Sequence, residues 1–209
     1  MGADPILGPV ERYYTAKVLE HGATAQGVDW NSRESQELRF AQLLKVVDVS
    51  RAFSITDYGC GYGALVGYMR ERDYPFIYRG YDISQGMIDS ARKAYGQDAR
   101  CEFVTERGDL QPGDYAVASG IFNVRLDATD AAWLEYILDT IGDLDRLGIK
   151  GFAFNALTKY SDADRMRATL YYADPLYLFD HCKVNHSKWV ALLHDYGLYE
   201  FTIVVRKDA

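Results

Sequence analysis

Apolar residues recur at helical spacing over Pro9–Glu20, where Tyr13, Ala16 and Val18-Leu19 form one side. They do so again over Arg33–Val47, with Phe40, Leu43-Leu44 and Val47. The stretch between them, from His21-Gly22 to Asp29-Trp30-Asn31-Ser32, is polar and reads as a loop. Ser32 or Asn31 is placed to cap the second helix, and Glu34 suits its first turn. From Phe53 onward short apolar runs alternate with helical patterns. Strands are predicted at Phe53–Asp57, Phe76–Asp82, Cys101–Thr105, Tyr115–Ser119 and Gly151–Phe154. Helices are predicted at Ala64–Arg70, from a Ser84 cap to Tyr95 with Gly96 as the stop, and at Ala131–Leu147.

Strands that alternate with helices call for a parallel sheet covered on both faces. The tail breaks this rhythm. Trp189–Leu193 and Tyr199–Val205 are two strands joined by the turn His194-Asp195-Tyr196-Gly197, with no helix between them. The expected fold is therefore α/β and doubly wound. Its mostly parallel seven-stranded sheet ends in an antiparallel hairpin, with one edge strand running against the rest. A single domain over residues 1–209 is expected. Its parts are a helical leader (1–50), a ligand-binding core (51–157), a wall or lid (158–187) and the terminal hairpin (188–206).

Composition narrows the classes. The chain has 209 residues, 23 Lys+Arg against 30 Asp+Glu, and a net charge of −7. No basic stripe marks a duplex nucleic-acid surface, and no run of about 18 apolar residues marks a membrane span. Residues 1–10 lack the basic and apolar regions of a secretion signal, so a cytoplasmic address is expected. Cys60, Cys101 and Cys182 form no C-x-x-C pair, and His21, His181, His186 and His194 show no ligand spacing, so no metal site is expected. Most of the 17 tyrosines read as half-buried packing with a wet hydroxyl.

The segment that carries chemistry is Ile55-Thr56-Asp57-Tyr58-Gly59-Cys60-Gly61-Tyr62-Gly63-Ala64. It joins a strand to a helix at the carboxyl end of a parallel sheet, where open α/β proteins bind ligands. Glycines let the backbone approach a ligand and adopt angles that other residues resist. Asp82 ends the next strand, nineteen residues past Gly63. An acid at about that distance can accept hydrogen bonds from ribose hydroxyls. A nucleoside-containing ligand follows from these residues. Gly59-x-Gly61-x-x-Ala64 also fits the dinucleotide fingerprint, which keeps a nicotinamide-dependent oxidoreductase open.

Written as Asp57-x-Gly59-x-Gly61-x-Gly63, the loop resembles motif I of the class I S-adenosylmethionine-dependent methyltransferases, a family with a Rossmann-like fold. The resemblance covers roughly Tyr13 to Lys207. It implies that the cofactor is S-adenosylmethionine, that Asp57 supports the loop near its amino-acid end, and that Asp82 holds its ribose. It further implies that Ile83 lies against the adenine, that Met87 is another cofactor-binding residue, and that Gly120, in Ser119-Gly120-Ile121-Phe122-Asn123, lets backbone approach the methionine part. Cys60 belongs to this loop as a packing residue. The leader Gly27-Val28-Asp29-Trp30-Asn31-Ser32, followed by Gln36 and Arg39-Phe40, looks like that of small bacterial members. Arg39 is then either a contact for the cofactor carboxylate or a solvated helix-face cation. Glu106 and Asp109 are alternatives for the adenine-side acid, and either could be a solvated loop charge. The Asn/Asp-Pro-Pro-aromatic signature of DNA-amine methylation is absent.

Methyl transfer from a sulfonium needs mainly proximity and orientation, and a hydroxyl acceptor also benefits from a general base. The implied activity is methylation of a small-molecule acceptor at oxygen or nitrogen. The segments expected to overhang the site offer Tyr14, His21, Asn123, Asn155, Tyr171, Tyr172 and His181. His21 and His181 are the candidate bases on chemical type, each with a packing role as the plain alternative. Tyr14, Asn123 and Tyr172 are the candidate acceptor contacts. Lys159–Pro175 interrupts the sheet pattern and reads as a substrate wall or lid, or else as an exposed connecting loop. The third possibility is a cofactor-binding module without turnover. Oligomeric state is left open, with the terminal edge strand one place to pair.

Overall fold

The computed structural model describes residues 6–24, 27 and 32–207. Residues 28–31, including Asn31 with its capping alternative, lie outside the described residues. The leader forms α1 (Leu7–His21) and α2 (Arg33–Leu43), which runs into a short 3-10 turn over Leu44–Val46. Ser32 closes a capping box: its hydroxyl accepts from the Ser35 amide, and the Ser35 hydroxyl accepts from the Ser32 amide. Two otherwise orphaned amides are satisfied, which sets the start of α2.

The core then alternates as β1 (Phe53–Tyr58), α3 (Ala64–Arg70), β2 (Phe76–Tyr81), α4 (Gln85–Tyr95), β3 (Cys101–Val104), β4 (Gly113–Ala118), α5 (Asp130–Leu147) and β5 (Gly148–Leu157). The chain ends in α6 (Pro175–Asn185), β6 (Trp189–Leu193) and β7 (Glu200–Arg206). The seven strands form one sheet in the order β3-β2-β1-β4-β5-β7-β6. The first five are mutually parallel, while β7 runs antiparallel to both β5 and β6.

The antiparallel strand is thus not at the edge, as the hairpin had suggested. β7 lies inside, and β6 takes the edge. Burial explains the order. Phe201, Ile203 and Val205 face one core and Val204 the other, and β7 is buried at every position except Arg206. A strand that is apolar on both faces needs neighbours on both sides. β6, with Trp189 exposed, tolerates the edge.

Two apolar layers flank the sheet. One holds Trp133, Ile137, Ile141 and Leu144 of α5 and Leu178 of α6 against Phe152 and Phe154. The other holds Phe40 and Leu43 of α2 and Leu65, Val66 and Met69 of α3 against Ile55 and Ala153. Helix α6 lies in the stretch expected to be wall or lid. Asp174 caps it by accepting from the Leu176 and Tyr177 amides, and Pro175 opens it. That Asp-Pro pair was its sequence signal.

Candidate functional site

The β1–α3 loop and the tip of β2 are built as one unit. The amides of Gly59 and Cys60 both donate to the Tyr81 carbonyl, at 2.7 and 2.9 Å. The Gly61 amide donates to one Asp82 carboxylate oxygen and the Ser84 amide to the other, each at 2.9 Å. Gly59, Gly61 and Gly63 all have positive φ, at 82°, 54° and 81°. Space bears on two of them as well. A Cβ on Gly59 would meet Ile121 Cγ2 at 2.2 Å, and one on Gly63 would meet the Tyr95 ring at 3.1 Å.

This loop floors a cleft with about 900 Å³ of empty space, open solvent included. Asp57, Gly59, Cys60, Gly61, Asp82, Ile83, Met87 and Gly120 all line it. Gly63 does not; its left-handed turn starts α3 just behind the cleft. Tyr58, Tyr62, Tyr136 and Ser119 line the cleft too and were not singled out from sequence. Tyr136 comes from α5, more than fifty residues beyond the glycine loop, and no local signal marks it.

Both carboxylates are held at a cost. Burial pushes Asp57 up to about 7; the hydroxyl of Tyr78, 2.8 Å away, opposes this, and the Asp82 charge adds to it. Burial also raises Asp82 to about 6, against the two backbone donors. Each Asp82 oxygen keeps a lone pair for further donors, as ribose recognition requires. Burial, with the charges of Asp82 and Asp57, raises the Cys60 thiol well above its ordinary value. The thiol is inert and packs.

A second, larger cavity of about 1700 Å³, open solvent included, adjoins the first, and Tyr14 and Gly120 line both. It is walled by Tyr13, Lys17 and His21 of α1, Arg39 of α2, Asn123, and Arg165, Arg167 and Tyr172 of the 158–174 segment. That segment is tied down rather than loose. The Tyr171 amide donates to the Asn123 carbonyl, the Ala173 amide to Leu157, and the Lys159 amide to Ala173, all at 2.8–2.9 Å. Asn155 is buried and positions the floor, its side-chain oxygen accepting from the Gly120 amide at 2.7 Å. Asn123 is likewise buried, with its oxygen accepting from the Leu157 amide at 3.0 Å.

Several expectations are corrected by these positions. His181 lies on α6 beside His186 and Asn185 and lines neither cavity, so it is not placed as a base. Burial and His186 also lower its pKa. His21 closes the last turn of α1 rather than lying in a loop, and it does face the second cavity. Arg39 is no solvated cation. It is buried and forms a two-pronged pair with Glu200, at 2.7 and 2.9 Å, on the wall of the second cavity. It does not line the first cleft. Glu106 and Asp109 are exposed, and neither lines that cleft.

Residues 56–141 match the family described as "Methyltransferase domain". A Mycobacterium tuberculosis protein named "Putative methyltransferase Rv1506c" is 49% identical over 164 residues, which is 78% of this chain and 99% of that one. The chain belongs to the S-adenosylmethionine-dependent methyltransferases. Solved methyltransferases share the fold. One is the Burkholderia thailandensis 1,6-didemethyltoxoflavin-N1-methyltransferase, solved with bound 1,6-didemethyltoxoflavin and S-adenosylhomocysteine. It has a TM-score of 0.62 at 19% identity, covering 100% of this chain and 94% of that one. Magnesium protoporphyrin IX methyltransferase from Synechocystis PCC 6803, with bound S-adenosylmethionine, has a TM-score of 0.60 at 13% identity, covering 84% and 79%. Membership in the methyltransferases removes the nicotinamide reading of the glycine loop.

The cleft residues fit the methyltransferase cofactor. Asp82 retains acceptor capacity, Ile83, Met87 and Ile121 supply an apolar wall, and the loop glycines leave no side chain between backbone and ligand. The Ser119 hydroxyl, buried and without a hydrogen-bond partner among the described residues, also lines the cleft. A buried polar atom without a partner is costly unless a ligand satisfies it.

Proposed function

We propose that this methyltransferase methylates oxygen or nitrogen on a small molecule held in the second cavity. The observation that carries the reading is the shared lining: Tyr14 and Gly120 border both spaces, so an acceptor in the polar cavity abuts the cofactor cleft. When bound, S-adenosylmethionine supplies a methyl carbon that the acceptor's lone pair attacks in line, while sulfur keeps the electrons of the broken C–S bond.

The chain's own contribution is positional. Asp82 and the glycine loop hold the nucleoside end, and Asp57 offers negative charge to the cationic end. Asn155 fixes Gly120 where the two spaces meet. His21, at the rim of the second cavity, is the candidate to take the proton that a hydroxyl acceptor sheds. Residues 158–174 form the acceptor wall. No helix among the described residues is long and apolar enough to cross a membrane; a cytoplasmic address is part of the same proposal.

Calorimetric titration tests the cofactor assignment. S-adenosylmethionine and S-adenosylhomocysteine are expected to bind and NAD is not; NAD binding alone would overturn the reading. In Asp82→Ala the affinity for S-adenosylmethionine falls by about 1–3 kcal/mol, because charge-assisted bonds to ribose and the Gly61 anchor are both lost. Unchanged affinity there would move the ribose elsewhere. In His21→Ala, labelled-methyl transfer to a hydroxyl acceptor slows about a hundredfold with cofactor affinity intact. Normal turnover in that variant removes His21 as the base.

A further inference from the structure

The chain carries a net charge of −7, yet among the described residues the second cavity is lined by Lys17, Arg39, Arg165 and Arg167 against one carboxylate, Glu200. Glu200 is already committed to Arg39 through both of its oxygens. The Asp162 carboxylate accepts from the Tyr199 hydroxyl, and neither Asp162 nor Asp164, the other acid acting on Tyr199, lines the cavity. Among the described residues, neither the Arg165 nor the Arg167 side chain has an ion-pair partner. The two lie on opposite sides of Met166 in a wall segment anchored to the sheet, with the Tyr172 hydroxyl accepting from the Arg167 amide at 2.9 Å. Local positive charge of this kind in a negatively charged protein is a selective field, and a cavity concentrates it.

We propose that the acceptor carries an anionic group, a carboxylate or phosphate, which Arg165 and Arg167 hold while Tyr13, Tyr14 and Tyr172 flank its body. The proposal rests on the second cavity being the acceptor site. Guanidinium groups suit this task because their planar fork meets a carboxylate or phosphate in a two-pronged bond. Lys17 adds a point charge from the α1 side, with its ammonium 5.5 Å from the Tyr13 ring. The anion anchors the acceptor at the wall, leaving its nucleophile to face the Tyr14–Gly120 border.

The test uses protein loaded with S-adenosylhomocysteine and two probes of equal shape, 4-hydroxybenzoate and the neutral 4-hydroxybenzamide, with inorganic phosphate as competitor. At low ionic strength the benzoate is expected to bind about tenfold tighter or more, and phosphate is expected to displace it. The preference should weaken with salt. In Arg165→Gln/Arg167→Gln, whose side chains are exposed, the preference is expected to vanish while S-adenosylhomocysteine affinity stays unchanged. Equal binding of the two probes overturns the proposal. So does a preference that survives the double substitution, or no binding of benzoate or phosphate at millimolar concentration. The two readings fail separately. Cofactor binding without anion binding sinks only this proposal, whereas anion binding without cofactor binding sinks the functional reading and leaves the anionic cavity standing.

Discussion

Glu200→Gln lowers the stability of the protein by about 3–5 kcal/mol, the cost of leaving one partner of a buried ion pair behind. The carboxylate of Glu200 and the guanidinium of Arg39 are almost wholly out of water, at 1% and 8% side-chain exposure. Arg39 Nε donates to one oxygen at 2.7 Å and Nη2 to the other at 2.9 Å. The pair ties α2 to the start of β7 across 161 positions of sequence, and Asn123 Nδ2 also reaches Glu200 Oε1, at 3.4 Å. Removing the negative charge takes from the buried Arg39 guanidinium the carboxylate that accepts two of its hydrogen bonds. Thermal or urea unfolding near neutral pH is the measurement, with a melting temperature lower by about 10 °C expected for a chain of this size. The companion Arg39→Met/Glu200→Leu removes both charges and is expected to recover most of the loss, since neither charge is then left buried without the other. A loss below about 1 kcal/mol in Glu200→Gln, the value of an exposed pair, would show that the pair does not hold α2 to the sheet.

Asp57→Asn acts in the opposite sense. The ligand-free variant is expected to be more stable than the natural chain at pH 8. Asp57 is buried at 3% exposure, with the Tyr78 hydroxyl as its hydrogen-bond donor and the Asp82 charge nearby. Its folded pKa stands near 7, against 3.8 ordinarily. The folded protein therefore holds this proton more tightly than the unfolded chain. The group's contribution is best below about pH 4, falls as pH rises toward 7, and stays low above that. At about 1.4 kcal/mol per pH unit, the ionised carboxylate costs on the order of 4 kcal/mol at pH 8. Asparagine keeps the acceptor for Tyr78 and removes the charge. The stability difference between the two proteins should shrink as pH falls through 7 and disappear near pH 4. The same substitution is expected to weaken S-adenosylmethionine binding about tenfold or more, because a cationic ligand loses a carboxylate in a low-dielectric site. A variant less stable than the natural chain at pH 8 would remove the buried-charge argument. The two results together describe a site whose stability is given up where the ligand's charge is needed.

Much of this molecule is legible without coordinates. The alternation of strands and helices, the Ser84 and Gly96 signals around α4, and the glycine loop followed by Asp82 are local patterns. Period and turn chemistry act over a few residues, so sequence suffices for them. Asp174-Pro175 was equally local, and its helix could have been read from the same rules.

The sequence by itself determined the parallel core, the hairpin at its end, and the glycine loop that floors the first cleft, because each follows from neighbours within a turn or a strand. Only the tertiary structure decided which histidine faces a cavity, and that β7 lies inside the sheet. It alone paired Arg39 with Glu200 and brought Lys17, Arg165 and Arg167 to one cavity. These outcomes depend on packing between segments far apart in the chain. No local preference encodes the direction in which a side chain points once distant elements have closed around it.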